Sequence, residues 1–123
     1  MSLKSLIYDK KSAAGEALLK AEAHTPRIEA PDAVKSGEAF SVRVSVGPHP
    51  NTVEHHIKWI ELYFEEEGRP FNPISLARFD LAPVYSEPAV EARVKLSKAG
   101  RLIAVGYCSL HGLWESSKEV RVE

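Results

Sequence analysis

The sequence has a single cysteine, no glutamine and no excess of charge of either sign. Its 16 Lys and Arg against 17 Asp and Glu give a formal net charge of −1, whereas nucleic-acid-binding domains carry a basic surplus. No apolar run approaches the roughly 20 residues that span a bilayer. We therefore expect no nucleic-acid partner and no membrane span. The lone thiol cannot form an internal disulfide, and with the polar N-terminal residues it favours a cytoplasmic setting.

The length of 123 residues and a hydrophobic fraction of 44% fit one globular domain over residues 1–123. Within it, residues 1–26 differ in composition from the rest, and their Ala, Leu, Glu and Lys content predicts a short helix over 12–23 with Ser12 as a possible N-cap. We expect the remaining residues, 27–123, to form the core of the domain.

From residue 39 onward, hydrophobicity along the chain repeats with the period of two that is typical of β-strands. Apolar and polar residues alternate over 40–46 and 90–97, and β-branched and aromatic residues fill 56–64 and 102–107. Turn-forming residues recur every 8–12 positions, and residues 98–101 are typical of a hairpin turn. The pattern predicts an all-β fold, an immunoglobulin-like seven-stranded antiparallel β-sandwich with a short N-terminal helical segment.

Residues that bind metals fall into three clusters, each at a loop or strand end: His24; His49, His55 and His56; Cys108 and His111. Cysteine and histidine three residues apart can turn onto one metal, and thiolate with imidazole suits iron, copper or zinc. If a strand begins at His55, alternation sends His55 and His56 to opposite faces, so that only one joins a given metal. The flanking prolines stiffen the loop that carries His49.

Four imidazoles and one thiolate would leave one coordination position open, which indicates chemistry rather than a structural role. A cupredoxin-like copper electron carrier is an alternative on a β-sandwich, but it usually needs a weak axial Met or Gln, and the only methionine is Met1. A zinc-stabilised binding module is a second alternative. Structural zinc takes four ligands, so one of these five would be surplus.

Three motifs resemble those of superoxide reductases in the short, single-iron form also called neelaredoxin, part of the desulfoferrodoxin family. They are Glu22-x-His24-x-Pro, the run from His49 to Ile60 (HPNTVEHHIKWI) and the run from Cys108 to Ser116 (CSLHGLWES). The likeness covers nearly the whole chain after residue 20. The larger relatives carry an extra N-terminal iron site made of cysteines, which this chain lacks because no cysteine precedes Cys108.

The resemblance implies one mononuclear iron site per chain (Fe²⁺/Fe³⁺) that reduces superoxide by one electron to hydrogen peroxide. Its equatorial ligands would be His24, His49, His55 and His111, and its axial ligand Cys108. Glu22 would match the glutamate that can bind the ferric ion. The family's lysine, thought to attract superoxide, is replaced here by Ala23. Lys20 is the candidate substitute, and Lys58, which aligns with His56 on the predicted strand, is the alternative. The resemblance further implies a rubredoxin-like electron donor and a homotetramer.

Overall fold

A computed structural model describes residues 2–123. Near the N-terminus lie a short 3₁₀ helix, Leu3–Leu6, and an α-helix, α1, at Glu16–His24. The helix begins later than predicted and Ser12 does not cap it: the backbone N–H of Ser12 donates to Asp9 Oδ1 in a local turn, and Gly15, with φ +60°, precedes the first helical residue. Short polar side chains of this kind compete with helix formation by closing turns.

Eight strands follow within the described residues: β1 Arg27–Glu29, β2 Ala33–Val34, β3 Phe40–Ser45, β4 Ile57–Glu66, β5 Ile74–Asp80, β6 Ala89–Val94, β7 Gly100–Cys108 and β8 Gly112–Val122. They form a three-stranded sheet in the order β1-β3-β6 and a five-stranded sheet in the order β2-β8-β7-β4-β5. Every pairing is antiparallel except that of β2 with β8. The predicted all-β fold with one short helix is confirmed, with one strand more than expected and one parallel pair.

The two sheets pack their apolar faces together in a single buried cluster. Val42 and Val44 of β3 belong to it, as do Ile60 and Leu62 of β4 and Leu102 of β7. The alternating residues on the other face of β3 are half-buried or exposed, which is why the period of two was visible in the sequence. In this way the core fixes the strand ends, where the metal-binding residues lie.

Residues 98–101 do not form the expected hairpin. They carry the chain from β6 in one sheet to β7 in the other, and β6 and β7 are not neighbours in either sheet. Glycine and lysine mark a change of direction both in a hairpin and in a connection that crosses to the other sheet. The local sequence does not distinguish these two connections.

No helix within residues 2–123 is long and apolar enough to cross a membrane.

Candidate metal centre

Four side chains from distant parts of the sequence converge at one end of the sandwich. One ligand atom of each lies within 4.8 Å of the others in the group His24, His49, His55 and Cys108. His49 Nε2 is 3.1 Å from His24 Nε2 and 3.4 Å from Cys108 Sγ. The thiol is fully buried, His24 is buried and the other two imidazoles are half-buried. A compact set of imidazoles around one thiol is a donor set for a transition metal.

His111 completes the cluster from the turn between β7 and β8. Its Nδ1 is 3.2 Å from His24 Nε2 and 3.7 Å from Cys108 Sγ. Its backbone N–H donates to Cys108 Sγ over 3.4 Å. The structure thus brings together all five residues that the sequence predicted as ligands. His24 and His49 approach their neighbours in the cluster through Nε2, whereas His111 does so through Nδ1.

Backbone carbonyls orient two of the imidazoles. His24 Nδ1 lies 2.8 Å from the carbonyl oxygen of Lys20, one helical turn earlier, and His49 Nδ1 lies 2.7 Å from that of Pro50. Since a carbonyl only accepts, each Nδ1 is the protonated nitrogen and each Nε2 keeps a free lone pair. A carbonyl in this position is the usual partner of a metal-bound histidine, which it holds in one tautomer and one orientation.

A pair of connected loops places His55 beside Cys108. In the register of β4 with β7, Ile57 lies opposite Cys108. Beyond the strand ends, the backbone N–H of Ser109 donates to the carbonyl of His56, and the backbone N–H of His56 donates to Ser109 Oγ. These bonds join the loop before β4 to the turn after β7, so that His55 and Cys108 are held next to each other.

The neighbouring His56 does not join the cluster, as the sequence predicted, but for a different reason. The strand begins at Ile57, so both histidines lie in the preceding loop and strand alternation does not apply to them. His56 Nδ1 instead lies 3.0 Å from the carbonyl oxygen of Thr52. The loop closes because Thr52 Oγ1 accepts from the backbone N–H of His55.

Burial favours the neutral form of three of the imidazoles. Desolvation lowers the pKa of His49 to about 4, and it is also the main cause that lowers the pKa of His24 and of His55. The positive charge of Lys20 further lowers the pKa of His24 and His55. Metals bind the unprotonated imidazole, so this environment favours metal ligation over protonation.

The arrangement of lone pairs fits a bound cation. The Nε2 atoms of His24 and His49 face each other over 3.1 Å, although each has its proton on the other nitrogen. Two lone pairs at this distance repel unless a positive charge lies between them. His55 Nε2 is buried with no hydrogen-bond partner among residues 2–123, which is costly for a polar atom unless it binds something else. Both features point to a metal ion among these atoms.

Lys20 lies on the same side of the helix as His24. It is half-buried and, with His111, Tyr107 and Leu110, lines a hollow of about 590 Å³ beside the cluster. Residues four apart share one helix face, and the charge of Lys20 is close enough to affect two of the imidazoles.

Glu22 lies elsewhere. Its side chain is exposed and borders a separate hollow with Arg27, Gly47 and Pro48, which none of the five ligand candidates lines. Two residues advance an α-helix by about 200°, so Glu22 and His24 project from opposite sides of α1. The structure therefore brings Lys20 to the cluster and does not bring Glu22 there.

Sequence reasoning assigned no role to Trp114. The indole is buried and stacks on His24, with ring centroids 5.3 Å apart, and its Nε1–H donates to the carbonyl of His111 over 3.0 Å. The only signal in the sequence is a tryptophan three residues after His111, and that spacing has no meaning until the hairpin of β7 and β8 is known.

The chain is thus a β-sandwich protein with a His/Cys cluster suited to a metal at the end of its strands. Residues 16–117 match the sequence profile of the desulfoferrodoxin family. The chain is 48% identical over 111 residues to a superoxide reductase from Pyrococcus horikoshii, covering 85% of this chain and 90% of that protein. It is 40% identical over 119 residues to a neelaredoxin from Megalodesulfovibrio gigas, covering 85% and 91%.

A solved structure is similar over the whole length. It is the superoxide reductase (neelaredoxin) from Ignicoccus hospitalis, 58% identical, which superposes with a TM-score of 0.94 and covers 100% of both chains. The chain belongs to the desulfoferrodoxin family, and its activity is that of a superoxide reductase, an oxidoreductase. The family match favours this function over the copper carrier and the zinc-stabilised module.

Proposed function

We propose that the chain binds one iron ion through His24, His49, His55, His111 and Cys108 and reduces superoxide to hydrogen peroxide. The observation that carries the proposal is the convergence of four imidazoles and one thiol. Contacts of 3.1–3.7 Å join the ligand atoms of His24, His49, His111 and Cys108, and a ligand atom of His55 lies within 4.8 Å of those of His24, His49 and Cys108. Five donors exceed the four of a closed zinc site and leave room for a substrate. Bound iron would supply the single electron by cycling between Fe²⁺ and Fe³⁺.

Cys108 is proposed to hold the iron as a thiolate. A thiolate ligand would donate electron density to the metal. The backbone N–H of His111 donates to its sulfur, and a hydrogen bond of this kind moderates the basicity of a metal-bound thiolate. Burial of the sulfur keeps water and other thiols away from it.

Lys20 is proposed to attract superoxide. The chain has a net charge of −1, so the whole molecule does not attract an anion, and attraction has to come from a local cation. Lys20 supplies one in the hollow that His111 also lines. Because this hollow is open to solvent, water can deliver the two protons that the product requires.

Glu22 is proposed to bind the ferric ion in the resting enzyme. In the structure it projects from the side of α1 opposite His24, so this role requires the last turn of the helix to open. Gly15 at the start of the helix and the polar turn before it leave α1 with only nine residues, and a helix this short is marginal without packing. The movement would break the hydrogen bond from His24 Nδ1 to the carbonyl of Lys20 and disturb the buried Ala21, a cost that ligation of the ferric ion would have to offset.

The partners and setting implied by the resemblance remain proposals. We propose a rubredoxin-like electron donor, a cytoplasmic location and one functional domain over residues 1–123. A homotetramer is proposed as well, and the edge strands β1, β2, β5 and β6 offer backbone groups through which copies can pair. Mass measurement in solution tests the assembly state, and reduction by purified rubredoxin tests the donor.

The decisive experiment combines metal content with kinetics. Protein purified without added metal is expected to hold one iron per chain, and the reduced protein is expected to consume superoxide in a second-order reaction. His55→Gln should lose most of the iron, whereas His56→Gln, a change in the adjacent residue that lies outside the cluster, should keep it. Copper or zinc in place of iron, or equal iron loss in both variants, contradicts the proposal.

A further inference from the structure

Three aromatic rings stack in series from the metal cluster to the protein surface. The ring of Trp114 lies 5.3 Å from that of His24, with an interplanar angle of 28°. On the other side, the ring of Tyr8 lies 4.9 Å from Trp114, with an angle of 30°. Trp114 is 1% exposed and Tyr8 is 41% exposed. The series therefore connects a proposed metal ligand to solvent through one buried indole.

The fold holds these rings in place. The backbone N–H of Tyr8 donates to the carbonyl of Leu113, and the backbone N–H of Glu115 donates to the carbonyl of Tyr8. Tyr8 thereby forms a parallel bridge with Trp114 on the edge of β8. The indole is fixed at its other end by the bond from Nε1–H to the carbonyl of His111. The centroid distances of both pairs lie in the range in which aromatic rings attract each other.

The product of the proposed reaction endangers this site. Hydrogen peroxide oxidises thiolates to sulfenic and higher acids, and Cys108 is the only cysteine in the chain. Reduced iron transfers a single electron to peroxide, whereas conversion of peroxide to water takes two. If the second electron comes from a ligand, the centre is damaged.

We propose that Tyr8 and Trp114 form a protective relay that supplies this second electron, an inference that rests on the proposed iron site. The O–O bond of peroxide breaks, and two electrons and two protons convert it to two water molecules. One electron comes from Fe²⁺, which becomes Fe³⁺. The other comes from Trp114, which is re-reduced by Tyr8. The phenol of Tyr8 loses its proton to water, so one further proton is taken from solvent and a neutral tyrosyl radical remains.

The position of Tyr8 allows the radical to be repaired. Because the ring is partly exposed, a small reductant in solution, a thiol or an enediol, can return one hydrogen atom to the phenol oxygen. The oxidising equivalent then leaves the protein at the surface without reaching Cys108. A buried tyrosine would not offer this exit.

A second aromatic pair serves as an internal comparison. Trp59 and Tyr107 stack with centroids 5.6 Å apart, but the guanidinium of Arg78 lies 4.7 Å from the centre of the Trp59 ring. A cation over the ring opposes loss of an electron from it. Tyr107 borders the hollow beside the cluster, but within the described residues neither ring of this pair stacks on an imidazole. Trp59 is therefore the matched control for Trp114.

The test mixes reduced, iron-loaded protein with hydrogen peroxide. Freeze-quenched samples are examined by electron paramagnetic resonance, and the peptide that contains Cys108 is examined by mass spectrometry. Wild type should show a tyrosyl radical. Tyr8→Phe and Trp114→Phe should lose that signal and show several-fold more oxidised Cys108, while Trp59→Phe should match wild type. Zinc-loaded wild type should show no radical, since zinc has no redox chemistry.

The outcomes separate the relay from the proposed function. Tyr8→Phe retains an exposed aromatic ring and should consume superoxide at the wild-type rate, so it decides the question even if Trp114→Phe does not fold. A wild-type radical and wild-type Cys108 oxidation in Tyr8→Phe would overturn the relay, as would a radical in the zinc-loaded protein. Failure of wild type to consume superoxide would instead overturn the proposed function.

Discussion

Lys20 and His24 lie one turn apart on the same face of α1, and the carbonyl of Lys20 accepts the hydrogen bond of His24 Nδ1 over 2.8 Å. The residue that carries the candidate substrate-attracting charge is therefore also the residue that orients a metal ligand. The first role depends on the side chain and the second on the backbone. Substitution of the side chain removes the charge and leaves the carbonyl in place, so the two roles can be separated.

We expect Lys20→Ala to slow superoxide capture several-fold at low salt, because the local cation is lost. The difference should shrink as salt rises, since charges are screened beyond about 10 Å at 0.1 M. Pulse radiolysis across ionic strength measures both effects, with Lys35→Ala, a change outside the cluster, as the control. Ala23→Lys, which restores the family pattern, should rescue the loss. Equal rates and equal salt slopes for wild type and Lys20→Ala would remove Lys20 from the mechanism.

Glu22→Ala should leave the reaction of the reduced protein with superoxide nearly unchanged. Glu22 is exposed and lies outside the cluster, and its proposed role begins only after oxidation. The substitution should change the visible spectrum of the oxidised protein and its pH dependence, because solvent takes the vacated position. Stopped-flow spectra measure both steps. A large loss in the first step would show that Glu22 acts before oxidation.

Cys108→Ser should abolish the visible colour of the oxidised protein. That colour is expected to arise from charge transfer between the thiolate and ferric iron, and serine supplies no sulfur. Ser36→Ala, a change at an exposed residue outside the cluster, is the control and should keep the band. Absorption spectra together with iron content separate loss of the band from loss of the metal. An unchanged band in Cys108→Ser would show that Cys108 is not a ligand.

The sequence predicted those parts of the molecule that depend on local pattern. Alternation in β3 reflects one buried face, and the metal-binding residue types marked all five members of the cluster. The contacts that orient them were not predictable, because the carbonyls of Lys20 and Pro50 carry no signature in the side chains. The stacking of Trp114 on His24 joins residues 90 positions apart and depends on how β8 returns beside β7. The hairpin prediction at 98–101 was wrong for the same reason, since pairing of strands is a property of the whole sheet.

The metal-free protein should lose stability as the pH falls from about 6.5 to 4. The pKa of His49 is about 4 in the folded chain against its ordinary value of 6.5, so in this window the unfolded chain binds a proton that the folded chain does not. The lowered pKa values of His24 and His55 act in the same direction. Urea unfolding at pH 7 and pH 5 measures the change, and His49→Gln should show a weaker pH dependence. An equal slope in that variant would contradict the assignment to His49.

Gly47→Ala should weaken metal binding by displacing His49. Gly47 has φ +129°, and a Cβ there would lie 2.7 Å from the backbone nitrogen of His49. The carbonyl of Gly47 also accepts a hydrogen bond from Arg27. The loop therefore has to move to accept a methyl group, and the imidazole moves with it.

Gly37→Ala separates this effect from backbone strain. Gly37 has φ +78°, but a Cβ there would have no neighbour within 4 Å in the described part of the chain. Gly37→Ala should lose about 1–2 kcal/mol of stability, the usual cost of a left-handed conformation for a residue with a side chain. Gly47→Ala should lose more, because its methyl group also meets the backbone of His49. Only Gly47→Ala should release its metal faster to a competing chelator. Equal release rates in the two variants would show that the loop tolerates the methyl group and that His49 is positioned by other contacts.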